Sequence, residues 1–303
     1  MPLNRADIRR QLEPGLNTVF GLTYKRYPEE YRYFMDVETE TKRAYIEDVM
    51  MTGFGVAPVK GEGAPVQYDA ASESYVARYY FETIALAFAI TEEAEEDALY
   101  GDIGAQLAKA LAISMRHTKE VKCAGILNNA FSASFPGGDG VALGSISHPL
   151  KSGELGSNIL STPADFSETS LEDLLNQITT ITDDRGIPAM IDGRCLVIPP
   201  QLRFVAQRVL FSNLRVDTAN NDLNAVKEMG LLPDGYKVVR RLTDPDAWFI
   251  KTDCEDGLKH IVRKALTKGM EGDFETGNLR YKARERYIQG WSNWRGLFSS
   301  AGA

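Results

Sequence analysis

Three histidines and three cysteines are the residues of this 303-residue chain best suited to nucleophilic, acid–base or metal chemistry. His117 lies beside Arg116 in a helical stretch, His148 precedes Pro149 in a loop, and His260 alternates with apolar residues in a strand-like stretch. A hydrolase needs a nucleophile, a base and an orienting acid, and no G-x-S-x-G or comparable context occurs. Zinc asks for Cys and His clustered at short spacing, whereas Cys123, Cys195 and Cys254 stand singly. That usage suits a reducing compartment and argues against a disulfide framework. The GGDG at 137–140 lacks the alternating acidic ligands of a calcium loop. The GFG and GEG pieces near residues 53–63 have neither a G-K-[ST] nor a G-x-G-x-x-G between strand and helix, so they are not phosphate loops. The chemistry-bearing residues therefore point away from an enzyme and call for no metal or other cofactor.

One charged constellation is left. Arg280, Lys282, Arg284 and Arg286 share one face of an extended strand, with Leu279, Tyr281, Ala283, Glu285 and Tyr287 on the other. Four cations in a row repel one another unless acids, phosphates or solvent face them. The readings are a solvated or salt-bridged face, acidic patches on neighbouring subunits, or nucleic acid.

The elements that carry these residues follow from periodicity. Residues 91–131 predict one long helix, with Thr91 as its cap and Glu92, Glu93, Glu95, Glu96 and Asp97 in its first turns, where negative charge complements the backbone dipole. Its firm part, 102–131, would be roughly 45 Å long at 1.5 Å per residue. With Leu107 at the centre, Leu99, Ile103, Ala110, Leu111, Ser114, Thr118, Val121 and Gly125 share one face and predict the buried side. Asp102, Lys109, Arg116 and Glu120 fall opposite, toward solvent or a neighbour.

Before this helix, residues 1–48 are polar and turn-rich, with short helices predicted over 6–12 and 27–36, and read either as an interface arm or as a plain extension. Residues 49–90 predict two extended segments joined by a mobile turn near 60–68, a hairpin that needs a partner surface because two strands alone are marginal in water. After it come a loop over 131–167, a helix from Ser170 with Gly186 as its stop, a strand at 194–198, a helix opened by Pro199 and Pro200, and strands near 236–242, 247–252 and 258–265. This order describes an α+β fold.

Composition sets the outer limits. An apolar content of 44% and a charged content of 25% are ordinary for a folded chain, and the net charge of −8 argues against a dedicated basic nucleic-acid binder. The longest apolar run, 84–90, has seven residues, too short to span a membrane. The N-terminal stretch has no apolar h-region of a secretory signal.

Taken in order, certain residues carry a resemblance. They are Phe88-Ala-Ile-Thr91 before the acidic run, Thr118-Lys-Glu with Leu127-Asn-Asn-Ala-Phe131, and Ser147-His148-Pro149 with Asn158. Ser170-Leu-Glu172, Leu196-Val-Ile-Pro199-Pro200-Gln-Leu202 and the closing Gly290-Trp291, Trp294-Arg295-Gly296 complete the set. Over residues 80–298 the chain resembles the major capsid proteins of tailed bacteriophages, which have the Hong Kong 97-type fold. The first 80 residues match by architecture more than by sequence.

The resemblance implies an N-terminal arm (1–48), an extended E-loop (49–90), a P domain with its spine helix (91–150), an A domain (151–245) and return strands to the P domain (246–303). It implies hexamers and pentamers of one chain forming an icosahedral head shell around double-stranded DNA, in the virion after assembly in the bacterial host cytoplasm. The partners implied are the chain itself, a portal, a decoration protein in some members, and a separate scaffolding protein, expected because the arm begins almost at once. Lys60, Glu62, Tyr68 and Arg78 become candidate inter-subunit contacts, and the row at Arg280, Lys282, Arg284 and Arg286 a candidate basic surface. Some members crosslink Lys to Asn with a Glu as base; Lys60 and Glu62 lie in the expected loop, but no partner Asn matches, so no crosslink is expected. An encapsulin-type nanocompartment shell, holding protein cargo, is the alternative within the fold.

Overall fold

The computed structural model describes residues 5–40, 42–91, 100–214, 223–272 and 277–303, with the side chains of 5–12 and 100–102 outside the description. Two four-stranded sheets organise it. The first has the order β1 (Asp36–Thr39), β10 (Leu258–Gly272), β11 (Leu279–Trp291), β4 (Glu82–Ile90), parallel between β1 and β10 and antiparallel elsewhere. The second has the order β12 (Leu297–Ser300), β9 (Trp248–Thr252), β7 (Gly193–Ile198), β8 (Tyr236–Val238). Their chain order, helices mixed with largely antiparallel sheets, is that of an α+β fold.

Helix α1 (Arg5–Arg26) and helix α2 (Tyr100–Asn128) lie against the first sheet. Leu16 and Phe20 of α1 meet Ala108, Leu111, Ala112 and Met115 of α2 over Tyr281 and Ala283 of β11. Burying each of the larger side chains contributes about 1.5–3 kcal/mol.

Several expectations are corrected here. The arm is one 22-residue helix that runs through Pro14, not a short helix in a polar extension. The face of α2 is turned from the expected one. Ala108, Leu111, Ala112, Met115, Arg116, Lys119, Glu120, Cys123 and Leu127 are buried, while Ile103, Ala110 and Val121 face outward. The physical reason is that the turn after α1 brings Glu29 to Arg116 and β11 brings Glu285 to Lys119, so charge is buried there as pairs. The acidic run 92–97 lies outside the described residues.

The long extended stretch over 75–90 is two strands in two places. β2 (Tyr45–Met51) and β3 (Glu73–Tyr80) form an isolated antiparallel hairpin, and β4, grouped with the E-loop in the sequence reading, belongs to the first sheet. Residues 52–72 cross between β2 and β3 without strand pairing. The hairpin base is seated by glycine contacts. A Cβ at Gly290 would collide with the Tyr79 ring, and one at Gly138 would lie 2.9 Å from the Val76 carbonyl.

Helix α3 (Glu168–Thr180) and helix α4 (Arg203–Phe211) cover the second sheet, with α5 (Ala225–Met229) beside α4. Ser167 caps α3 through a reciprocal bond with Ser170. The helix ends at Thr180, earlier than Gly186, which instead takes a positive φ of 80° in the turn after Asp183. Strands β9 and β12 belong to this second sheet, although the sequence reading grouped them with the return strands. One core joins the two parts: Tyr31, Phe34 and Met35 meet Leu127, Val197, Phe249, Trp291, Trp294 and Leu297.

Candidate interaction surfaces

The histidines are held apart, each in its own packing. His148 and Asp139 bury their side chains completely, with Nδ1 2.6 Å from Oδ2, and the imidazole stacks on Trp294 with centroids 4.4 Å apart. Its Nε2 lies 3.2 Å from the Leu143 carbonyl and from Asn158 Oδ1. Asn158 in turn donates to the carbonyls of Leu143, Trp294 and Leu297 and accepts from the Ser145 amide. The GGDG stretch and the Ser-His-Pro signature are thus halves of one staple between the 131–159 loop and the segment around Trp294. Two short strands, β5 (His148–Pro149) and β6 (Leu155–Gly156), close it.

His260 and Cys123 are 3.6 Å apart in the core. Burial, reinforced by Lys119 and Arg32, pushes the imidazole down to about 4, and burial pushes the thiol up, so the pair is neutral and suited to packing. His117 touches Arg241 at 3.4 Å. Among the described residues, no group of three or more His, Cys, Asp and Glu is placed to hold a metal ion, and no helix is long and apolar enough to cross a membrane.

Three surfaces remain. The first is the hairpin tip. Phe54, Val56, Val59, Val66 and Tyr68 are exposed, Tyr68 to 94%, on a segment with no core of its own. Lys60 and Glu62 stand exposed in the same tip. Arg78 is set apart from them on β3, where it pairs with Glu47 across the strand. The sequence reading missed the contact that ties the tip down. Asp69 accepts from the Gly55 amide at 2.7 Å and from Arg185 Nη2 at 2.7 and 2.8 Å. The Gly55 amide first, then Arg185, hold its carboxyl below the usual carboxylate range. Only the D-D-R-G turn at 183–186 marked Arg185 beforehand.

The second is the outer face of the first sheet. Arg280, Lys282 and Arg284 are exposed and Arg286 half-buried, while Leu279, Tyr281, Ala283, Glu285 and Tyr287 point to the helices. The row is flanked by Ala85, Ala87 and Ala89 on β4 and by Thr267 and Gly269 on β10. Small neighbours on both sides flank Lys282 and Arg284, whereas Arg280 stands opposite Glu271 and Arg286 opposite Lys264. Lys282 makes an exposed 3.7 Å pair with Glu271, a contact of the kind worth little in water. The third surface is on the second part of the molecule, where Phe204, Phe211, Leu214, Leu223 and Met229 are exposed.

Behind these surfaces lies a largely buried charge network around Arg116 and Glu120, two residues that the sequence reading turned toward solvent or a neighbour. Arg116 donates to Glu29 at 2.8 Å and to the Tyr24 carbonyl at 3.0 Å. Lys119 pairs with Glu285 and donates to the Tyr24 hydroxyl at 2.8 Å. Glu120 accepts from the Tyr31 amide at 3.1 Å, and Glu30 accepts from Arg240 at 2.7 Å. The Pro28-Glu29-Glu30 turn was the available signal for their partners.

A family model described as phage capsid protein matches residues 75–300. No curated protein sequence matches significantly. Among solved structures, the capsid of an empty GTA particle is 13% identical, covers 90% of each chain and has a TM-score of 0.54. The capsid of the cyanophage P-SCSP1u is 11% identical, with 90% of this chain and 88% of that one covered and a TM-score of 0.53. A virus-like particle from Pyrococcus furiosus is 12% identical, with 94% and 97% covered and a TM-score of 0.51. At such identities the likeness speaks for the fold.

Proposed function

The chain belongs to the phage capsid protein family, and on that premise we propose that it is the major subunit of a tailed-phage head, building an icosahedral shell around double-stranded DNA. Its work is mechanical. Residues 5–39, with α1 and β1, act as the arm, the β2–β3 hairpin with its 52–72 tip as the E-loop clasp, the rest of the first sheet with α2 as the P domain, and the second sheet with α3–α5 as the A domain. The clasp reaches a neighbouring copy through Phe54, Val56, Val59, Val66 and Tyr68, with Lys60 and Glu62 at its rim.

The observation that carries this reading is the hairpin. Its base is seated on the subunit, but five large apolar residues at its tip are left exposed within one subunit. They become sensible when each subunit gives and receives such a contact, since many weak contacts linked in one lattice bind far more tightly than one. Head-to-tail surfaces of this kind close into rings and shells. An overall net charge of −8 keeps wall–DNA attraction weak, so DNA slides as it enters.

Electron microscopy of the assembled material, followed by extraction of its contents, tests the proposal. Icosahedral particles containing double-stranded DNA are expected. Shells that hold protein cargo and no DNA would mark an encapsulin-type compartment instead, and a small soluble oligomer would overturn both.

A further inference from the structure

The buried charges between arm and helix are unevenly satisfied. Arg116 donates to Glu29 and to the Tyr24 carbonyl through its terminal nitrogens while its buried Nε has no partner among the described residues, Lys119 pairs with Glu285 and Tyr24, and the exposed Arg240 bonds the buried Glu30. Glu120, 4% exposed, accepts one amide, that of Tyr31, on Oε2. Its Oε1 is buried and meets no donor among the described residues.

The site is a joint of three parts. Glu29, Glu30 and Tyr31 come from the turn that ends the arm, Arg116 and Glu120 from α2, and Arg240 and Arg241 from the turn after β8. Arg241 lies 3.8 Å from Glu30 and 3.4 Å from His117. From α2 itself Lys119 and Cys123 stand nearby, and from β10 comes His260, packed on Tyr31 at 4.9 Å. A second buried carboxylate, Glu30, thus faces the one with an orphaned oxygen. Burial pushes the Glu120 carboxyl up to about 7; the Tyr31 amide opposes this, Glu30 adds to it, and Arg116 and Arg241 oppose it.

We propose that Glu120 is a proton-operated catch for the arm: as a neutral acid it lets the 29–33 turn seat on α2, and as a carboxylate it loosens that seat. The sign follows from linkage. A carboxyl that holds its proton more tightly when the arm is docked than when it is free favours docking at lower pH. Docking therefore weakens as pH rises toward neutrality and levels off once the docked form is also ionised. The catch belongs to the subunit itself and does not depend on what the shell encloses.

Amide exchange at Tyr31 in the full-length chain, corrected for its intrinsic pH dependence, reads the opening of the joint. The opening constant is expected to rise about tenfold between pH 6 and 8.5 and then level off, and Glu120→Gln is expected to remove that dependence. The same pH course in wild type and E120Q would overturn the proposal. If E120Q does not fold, a carboxyl carbon titration of Glu120 in the wild type decides. A midpoint near neutrality supports the catch, and one near the ordinary glutamate value overturns it.

Discussion

Lys119 of α2 and Glu285 of β11 form an ion pair whose side chains are 9% and 2% exposed, with the Tyr24 hydroxyl of α1 bonded to both. One pair thus pins arm, long helix and sheet together. Removing one partner of a buried pair strands the other charge and costs about 3–5 kcal/mol, whereas replacing both by apolar groups is often close to neutral. Lys119→Met or Glu285→Leu should therefore lower the denaturant midpoint sharply, and the two together should recover most of the loss. Additive single and double effects would show that the pair contributes nothing of its own.

Deleting about residues 58–70 removes most of the apolar tip and no core side chain. The shortened subunit should keep its circular dichroism and fail to assemble, as read by sedimentation. Normal shells from this variant would remove the clasp role from the hairpin.

Reversing charge at Lys282 and Arg284 should block assembly or weaken particles, with the defect depending on salt because exposed charges are screened over about 8–10 Å at moderate ionic strength. Sedimentation of the double Glu variant at low and moderate salt checks this. Intact assembly with an altered length of packaged DNA would assign the row to the lumen instead.

The Asp69–Arg185 tie should persist well into acid. A carboxyl held below its usual range stabilises its contact at all pH values above that range and loses it as pH falls through the lowered value. The Gly55 amide chemical shift, followed by pH titration, should therefore move only below the ordinary carboxylate range. Asp69→Asn should abolish the transition and increase mobility over 52–72. A Gly55 titration at the ordinary value would sever the tip from Arg185.

Alternation made β11 legible: Tyr281, Ala283 and Tyr287 inward and Lys282 and Arg284 outward follow from a period of two. The same logic failed on α2. Arg116 and Glu120 look like a solvent face in the sequence, but their partners Glu29 and Tyr31 come from a distant turn that helical periodicity cannot see. The break at Phe81 was hidden because β3 and β4 have similar strand-forming composition, and it is the change of partner, from β2 up to Tyr80 to β11 from Glu82, that shows where the hairpin ends. The shell fold was legible from ordered short motifs, and one of them, Ser147-His148-Pro149 with Asn158, is a hydrogen-bonded staple. The hairpin tie through Asp69 was not legible, because neither Asp69 nor Glu62 stands at a regular spacing in this Gly- and Pro-rich loop.

The first sheet also sets a clock. β4 ends at Ile90, but the strand that flanks it, β11, begins at Leu279. At 5–20 residues per second of synthesis, β4 waits roughly 10–40 s for its neighbour. Its Ile84-Ala-Leu-Ala-Phe-Ala-Ile90 run is an apolar strand without a partner for that whole interval. Nascent chains crowded on one message are then open to pairing with each other through this segment, so the yield of competent subunits should be limited by chaperone capture during synthesis more than by the stability of the finished fold.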